Sequence, residues 1–512
     1  MAETKFDAYQ TNAINARKNS VVSAGAGSGK TTVLAERFSS LVLDPKQKVG
    51  VDQILTLTFT KKATVEMSAR IYKVLKKHAP EKAADFFKAN IKTLDSYCNS
   101  VAKMGCHYYG ISPDFTQDDD QIRGTVYAMA LPYILEHRDN ETIKALVSAD
   151  NFDSIANQLF VEPILSASTV AEPIDFDRML QKQVTVIVEK WNSIVHEIND
   201  AIVEMEKMFN NLGEVNKGSK AYIEFDSVFG PGSAVDIPEP LEITSLDIES
   251  CNVKKIEDYV LAIEKIASLK KPGNAKGLKE ITPTLNELKD YFYSYLSQYF
   301  NFIYGYKMTL GILPLLKDFQ DKVNAYKRSS GILSFKDISN MAKCILRDFP
   351  EIRQIEKDRY KFIMIDEFQD NNSDQRDMLF MLAEKKSRKE AGIPSVDELE
   401  KEKLFFVGDE KQSIYRFRGA DVSVFNALSK DFTEGNLTMS TNYRSDSALI
   451  KGFNTIFGGY DYPLSAAPLK SEEETMPAEI PSAFFNEHSK YENDIPEYEA
   501  KYKEVLLPEA KE

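Results

Sequence analysis

Eight consecutive residues, Ala24-Gly25-Ala26-Gly27-Ser28-Gly29-Lys30-Thr31, bring together the groups needed to hold a polyphosphate. Glycines let backbone N–H groups turn inward around phosphate oxygens, and a helix that follows adds the positive potential of its N-terminus. Lys30 can reach the terminal phosphates and Thr31 can set a hydroxyl on magnesium. Ala24 stands where the general pattern has its first glycine, and the plain alternative is a glycine-rich turn with an accidental lysine. A phosphate loop also needs a carboxylate on the metal side, at the end of a neighbouring strand. Ile363-Met364-Ile365-Asp366-Glu367 supplies two acids at such a strand end. Asp366 would hold Mg²⁺ through water, and Glu367 would orient or deprotonate the attacking water. Alone this pair would read as a solvated strand end; with Lys30 it defines a nucleoside triphosphate hydrolase without saying which one.

These groups can act together only if the chain sets them along one sheet. Residues 20–23 read as a short buried strand before the loop, and a helical pattern follows from Thr31 to about Leu43, where Asp44-Pro45 breaks it. Residues 54–59 form a second β-rich run, followed by a helix through Ala63, Met67, Ile71 and Leu75. Two later strands, 362–365 and 404–407, each end in an acidic cluster. Alternation of this kind predicts a parallel sheet with crossover helices, an α/β fold. Between about Ile111 and Ser329 the pattern changes to long amphipathic stretches that include the only tryptophan, Trp191, and predicts a mostly helical inserted domain. Loops at Phe229-Gly230-Pro231-Gly232 and Ile237-Pro238-Glu239-Pro240 are expected to separate its parts. The Lys-rich stretch from Lys254 to Lys279 is mixed with acids and reads as a solvated helix face.

The 512 residues carry 64 Lys and Arg against 78 Asp and Glu, a net charge of -14, which argues against a protein that coats nucleic acid by charge alone. A local basic channel is compatible with that balance. Cys98, Cys106, Cys251 and Cys344 lie far apart, without the spacing of a zinc site or a disulfide framework, and fit a reducing cytoplasm. The amino terminus lacks an apolar signal core and no later run reaches about 18 apolar residues, so no membrane association is expected.

Three further segments narrow the chemistry. They are Asp366-Glu367-Phe368-Gln369-Asp370, then Gly408 to Ala420 with Gln412-Ser413-Ile414-Tyr415-Arg416-Phe417-Arg418 inside it, then Asn442-Tyr443-Arg444-Ser445. Together with Gln10 upstream, Thr58-Phe59-Thr60-Lys61-Lys62-Ala63 with Met67, Thr93 with Ser96 and Tyr97, and Ser334-Phe335-Lys336-Asp337, their order resembles the motifs of superfamily 1 helicases of the UvrD, Rep and RecB group. The long gap between Ser96 and Asp366 looks more like RecB or AddA than the compact relatives. The resemblance implies ATP with Mg²⁺, 3′ to 5′ movement on single-stranded or partly duplex DNA, and a partner subunit of the kind found in AddAB- or RecBCD-like complexes. It implies that Gln10 reads the adenine edge and Tyr443 stacks on the base, with Ala24 to Thr32 around the phosphates. Gln412 would couple the γ-phosphate to the DNA-contacting segment, and Arg444 would be an arginine finger from the second motor domain. Phe59, Tyr415 and Phe417 would stack on bases, with Thr60, Lys61 and Arg418 near the backbone; each aromatic has a plain alternative as a core residue.

Several positions depart from that pattern. Phe417 replaces a common Trp, Lys61 an Asn, Asp95 a frequent His, and Thr32 an Arg that lies against the adenine in some relatives, which predicts looser adenine selectivity. Arg444 is the last arginine of the chain, only 68 residues follow it, and no later helicase motif, nuclease acid constellation or iron–sulfur cysteine cluster is found. The expected organisation is a RecA-like P-loop domain in two halves, 1–110 and 331–430, a helical insertion at 111–330, and the truncated start of a second RecA-like domain at 431–512. Such a fragment would bind Mg·ATP and hydrolyse it slowly; the competing expectation is a stand-alone ATP-binding DNA-interaction module that unwinds nothing.

Overall fold

A computed structural model describes residues 6–233, 237–272, 277–416 and 419–458. The chain divides into two compact units, one made of residues 1–119, 170–172 and 327–512, the other of 120–169 and 173–326.

The first unit is built on a sheet. Its labelled elements, in chain order, are helix α1 (Ala8–Asn15), strand β1 (Ser20–Ala24), helix α2 (Lys30–Leu43), strand β2 (Ile54–Thr58), helix α3 (Lys61–His78), strand β3 (Asn90–Thr93), helix α4 (Leu94–Gly105), helix α5 (Phe335–Asp348), strand β4 (Phe362–Ile365), helix α6 (Ser373–Ala383), strand β5 (Leu404–Gly408), helix α7 (Val422–Asp431), strand β6 (Asn436–Met439) and helix α8 (Ser447–Gly458). The six strands pair in the order β3-β2-β4-β5-β1-β6, every pair parallel. Val21 sits opposite Phe406 on one side and Asn436 on the other, and Leu55 opposite Ile363.

Alternation along the strands sends side chains into two cores. Val21, Leu55, Leu57, Ile363, Ile365, Leu404 and Phe406 pack on one face with α4, α5, α6 and α7, whereas Val22, Ala24, Phe362, Met364, Phe405 and Val407 pack on the other with α2 and α3. Because both faces are covered, the central strands are buried at nearly every position and mostly apolar, with Ser20, Thr56 and Thr58 the buried polar exceptions, as expected of a parallel sheet in a three-layer α/β fold. Two sequence motifs turn out to serve this framework. Thr93 caps α4 by accepting from Ser96 N (3.1 Å) while Tyr97 is buried and donates to Glu356 (2.8 Å). Ser334 and Asp337 form a capping box at the start of α5, and the fully buried Asp337 pairs with Lys327 at 2.9 Å.

The second unit is helical. Its core gathers Val184, Trp191, Ile198, Ile202 and Met205 of the 35-residue helix Phe176–Asn210 with Ile256, Ile263 and Ile266 of Lys254–Ala267 and with Leu285 and Leu288. Trp191 Nε1 donates to Leu241 O (2.7 Å), fixing the non-helical residues 237–244 against the long helix. Lys254–Ala267 buries its apolar stripe and turns its lysines outward, the amphipathic arrangement expected of that stretch.

The boundaries differ from those read in the sequence. The first unit extends to residue 119 because Thr116–Gln117 pairs in parallel with Ile332–Leu333. It extends past residue 430 because β6 completes the first sheet beside β1 and therefore does not begin a second one. The expected second-domain residues beyond position 458 lie outside the described residues.

Candidate nucleotide site and strand-facing aromatics

The loop between β1 and α2 turns on two glycines in the left-handed region, Gly27 (φ 75°) and Gly29 (φ 88°). A Cβ on Gly27 would lie 2.5 Å from Asn442 Oδ1, so the loop is fitted against the segment after β6. That segment is laced to it: Gly25 N donates to Met439 O (2.9 Å), Tyr443 N donates to Gly27 O (2.9 Å), and Asn442 Oδ1 accepts from Arg444 N (2.8 Å) and Ser445 N (2.9 Å). Arg444 therefore stands at the loop as part of the first unit, just after a strand of the same sheet, and not on a separate lobe.

A cavity of about 440 Å³ opens over the loop, lined by Ala26, Gly27, Gly29, Lys30, Thr31, Glu66, Arg70, Glu367, Gln412, Tyr443 and Arg444. Lys30 lies nearly buried, its Nζ 3.1 Å from Glu367 Oε2 and 3.4 Å from Gln412 Oε1. Gln412 Nε2 donates to Asp409 Oδ2 (2.7 Å), Asp409 N donates to Gln369 Oε1 (2.9 Å), and Gln369 Nε2 donates to Glu367 Oε2 (3.0 Å). The ring of contacts closes on Lys30 and joins the start of α2 to the segments that follow β4 and β5. Gly408 is required at the end of β5, since a Cβ there would meet Gln369 Oε1 at 2.7 Å.

Asp366 ends β4 with its side chain buried, and Glu367 follows with φ 53° and ψ 45°, a left-handed conformation that a residue with a side chain holds only under strain. Burial, and next the charge of Glu367, push the Asp366 carboxyl up to about 7 despite the opposing pull of Lys30. Burial and Glu367 likewise raise Asp370, to about 6. Two carboxylates beside a phosphate loop in so dry a setting favour a cation. Thr31 and Glu367 line the cavity whereas the buried Asp366 does not, and among the described residues no group of three or more His, Cys, Asp or Glu could form a protein cage. That set suits Mg²⁺, a hard ion that keeps waters and takes part of its coordination from bound phosphates.

Gln10 is buried beside the loop, its Nε2 donating to Ser28 O (2.9 Å), and Tyr443 Oη donates to Asp7 Oδ2 (2.5 Å) at the start of α1. Thr32, read as a gap left by a missing arginine, accepts at Oγ1 from Arg70 Nη1 (2.8 Å), so α3 brings a guanidinium to the same mouth. Away from the cavity, Phe59 and Tyr415 meet with ring centroids 4.8 Å apart, tilted 38°. Thr60, exposed, caps α3 by accepting from Ala63 N (3.1 Å), and Lys61 is exposed beside it. Phe417 and Arg418 lie outside the described residues. Asp95 is exposed in the first turn of α4, where a negative charge complements the helix N-terminus. Asp7, Glu66, Arg70, Gln369 and Asp409 carry no role in the sequence reading; only Gln369 and Asp409, each inside a quoted motif, had a local signal.

A parallel sheet whose loops hold a phosphate loop at one strand end and an Asp-Glu pair at another defines the class of P-loop nucleotide-binding proteins. The family model of the UvrD/REP helicase N-terminal domain matches residues 6–433, and the chain belongs to that family. Among curated proteins it is 28% identical to an ATP-dependent helicase/nuclease subunit of Clostridium botulinum, over 89% of this chain and 39% of that one. The same-named subunits of Streptococcus sanguinis (27%; 88% and 39%) and Clostridium perfringens (28%; 89% and 38%) are similar to it as well. The chain thus spans about two fifths of the length of these relatives. Among the described residues, no helix is long and apolar enough to cross a membrane.

Proposed function

We propose that these residues form the ATP-binding part of a DNA-translocating helicase motor acting 3′ to 5′, within a longer polypeptide that works with a partner subunit in the cytoplasm. The observation that carries the reading is the closed ring Lys30-Glu367-Gln369-Asp409-Gln412 beside a cavity that Arg444 and Tyr443 also line. In it, the N–H groups of residues 25–31 and Lys30 hold the triphosphate, Thr31 and Asp366 hold Mg²⁺, and Tyr443 and Gln10 take the adenosine end. The metal supplies charge neutralisation of the phosphates. Glu367 Oε2, already aimed at Lys30, accepts the proton of the attacking water, and Arg444 places a guanidinium where charge grows on the transferred phosphoryl.

Single-stranded DNA is assigned to the Phe59 and Tyr415 rings with Thr60 and Lys61 near its backbone, together with Phe417 and Arg418. Gln412 stands three residues before Tyr415, and this short path supports coupling between phosphate and strand. The test is titration with Mg·ATP and measurement of ATPase with and without single-stranded DNA. Saturable Mg·ATP binding that is lost in Lys30→Ala, with slow hydrolysis and no unwinding by these 512 residues, is the expected result. Failure to bind Mg·ATP would end the nucleotide reading, and vigorous DNA-stimulated turnover would end the claim that the motor needs more than these residues.

A further inference from the structure

Asp7 precedes α1 and uses its two carboxylate oxygens for different purposes. Oδ1 accepts from Gln10 N (2.6 Å), closing the capping box in which Asp7 N donates to Gln10 Oε1 (3.3 Å). Oδ2 accepts from Tyr443 Oη (2.5 Å), 436 positions along the chain and on the far side of the phosphate loop. One side chain therefore ties the aromatic ring at the cavity mouth to the amide beside it.

The orientation of that amide follows from its partners. Asp7 N can only donate and Ser28 O can only accept, so Gln10 must turn Oε1 to the first and Nε2 to the second. One lone pair of Oε1 and one hydrogen of Nε2 are left over, an acceptor and a donor side by side. Adenine offers the complement, an amino hydrogen and a ring nitrogen on one edge, whereas guanine puts a carbonyl oxygen where the amino group would be and sets oxygen against oxygen.

We propose that Asp7 is a specificity-positioning residue for the adenine base: it holds the Tyr443 ring in stacking position and, through the capping box, locks the Gln10 amide in the adenine-reading orientation. The proposal rests on the nucleotide reading above and predicts adenine selectivity, even though Thr32 takes the place of an arginine. Asp7→Ser separates the two functions of the carboxylate, because a serine still caps Gln10 N but cannot reach the phenol. Tyr443→Phe keeps the ring and removes the phenolic hydrogen.

The experiment measures fluorescent N-methylanthraniloyl ATP and GTP with Mg²⁺, and inorganic tripolyphosphate as competitor, on the full 512-residue chain. In both variants affinity for ATP and for GTP falls about fivefold, the worth of one ordinary hydrogen bond, and the preference for ATP is kept because the Gln10 cap remains; Asp7→Ala, which removes the cap as well, shrinks that preference. Tripolyphosphate binds as before, and the double variant is no weaker than either single one. Unchanged ATP affinity in both variants, an unchanged preference in Asp7→Ala, or equal weakening of tripolyphosphate, overturns the proposal. An unaltered chain that binds neither ATP nor tripolyphosphate overturns the nucleotide reading and this inference with it.

Discussion

Replacing Asp366 by Asn should make the nucleotide-free protein more stable while destroying its use of magnesium. The carboxyl is 5% exposed and its acidity is displaced from 3.8 to about 7, chiefly by burial and then by Glu367. An acid whose folded-state value is raised destabilises the fold as pH rises: the unfolded chain ionises near 3.8, and the folded one holds its proton until about 7. The penalty therefore accumulates between those two values and is fully developed above the higher one. At about 1.4 kcal/mol per unit, it amounts to roughly 4 kcal/mol at pH 8 and about 2 kcal/mol at pH 5. Asn keeps the shape and the acceptor for Glu367 N, which lies 3.0 Å from Asp366 Oδ1, but has no charge to bury. For a unit of about 300 residues, at about 2.1 cal/mol/K per residue, 1 kcal/mol moves the midpoint by roughly 1.5 °C, so Asp366→Asn should melt roughly 6 °C above the parent at pH 8, without magnesium. At pH 5 the gain should be roughly two fifths of that. Scanning fluorimetry at both values, with and without Mg·ATP, measures this directly, and Mg·ATP should stabilise the parent and not the variant. A variant no more stable than its parent at pH 8, or a gain that does not shrink on acidification, would refute the assignment of Asp366 as an uncompensated buried acid.

Glu367→Gln should retain Mg·ATP binding by fluorescence titration while hydrolysis falls about 10²–10⁴-fold, the usual worth of a general base. Phe59→Ala with Tyr415→Ala should weaken single-stranded DNA binding by anisotropy by about 1–3 kcal/mol per lost stacking platform and leave Mg·ATP affinity unchanged. Glu384 sits fully buried against Arg353 (3.1 Å) and Lys357 (3.0 Å), with Arg388 at 2.7 Å. Glu384→Gln should therefore cost about 3–5 kcal/mol in denaturant unfolding, since it leaves buried cations uncompensated.

The parts of the fold legible in the sequence are those buried on both faces. Strands β1, β2, β4 and β5 are apolar runs because helices cover them above and below, and such runs stand out against polar surroundings. The strands of this sheet that the sequence does not announce are its two edges, Asn90-Ile91-Lys92-Thr93 and Asn436-Leu437-Thr438-Met439, which pair on one side only and are less buried and more polar than the central ones. Missing the second edge moved the expected end of the first sheet and placed Arg444 on another lobe. The phosphate loop and the Asp-Glu pair could be read because their geometry is local. The roles of Gln369, Asp409 and Asp7 could not, because the bonds that join Asp409 to Gln369 and Tyr443 to Asp7 span 40 and 436 positions, and no periodicity in a single chain reports such a distance.

The same long-range bonds explain why the strain at Glu367 persists. A residue with a side chain in the left-handed region costs on the order of 1–3 kcal/mol and relaxes unless its surroundings fix it. Here Asp366 N is held by Leu57 O in the sheet (3.0 Å), Glu367 N by Asp366 Oδ1, and the Glu367 carboxylate by Lys30 and Gln369. These ties come from several different elements, so no single rotation relieves the turn without breaking two of them. The carboxylate is thereby held over the cavity before any nucleotide arrives, and a phosphate that takes Lys30 for itself would free Glu367 Oε2 to receive a water proton. On the proposed function the ring would then open at Lys30, and Gln412, bonded to Lys30 on one side and Asp409 on the other, would be the member that registers the change three residues from Tyr415.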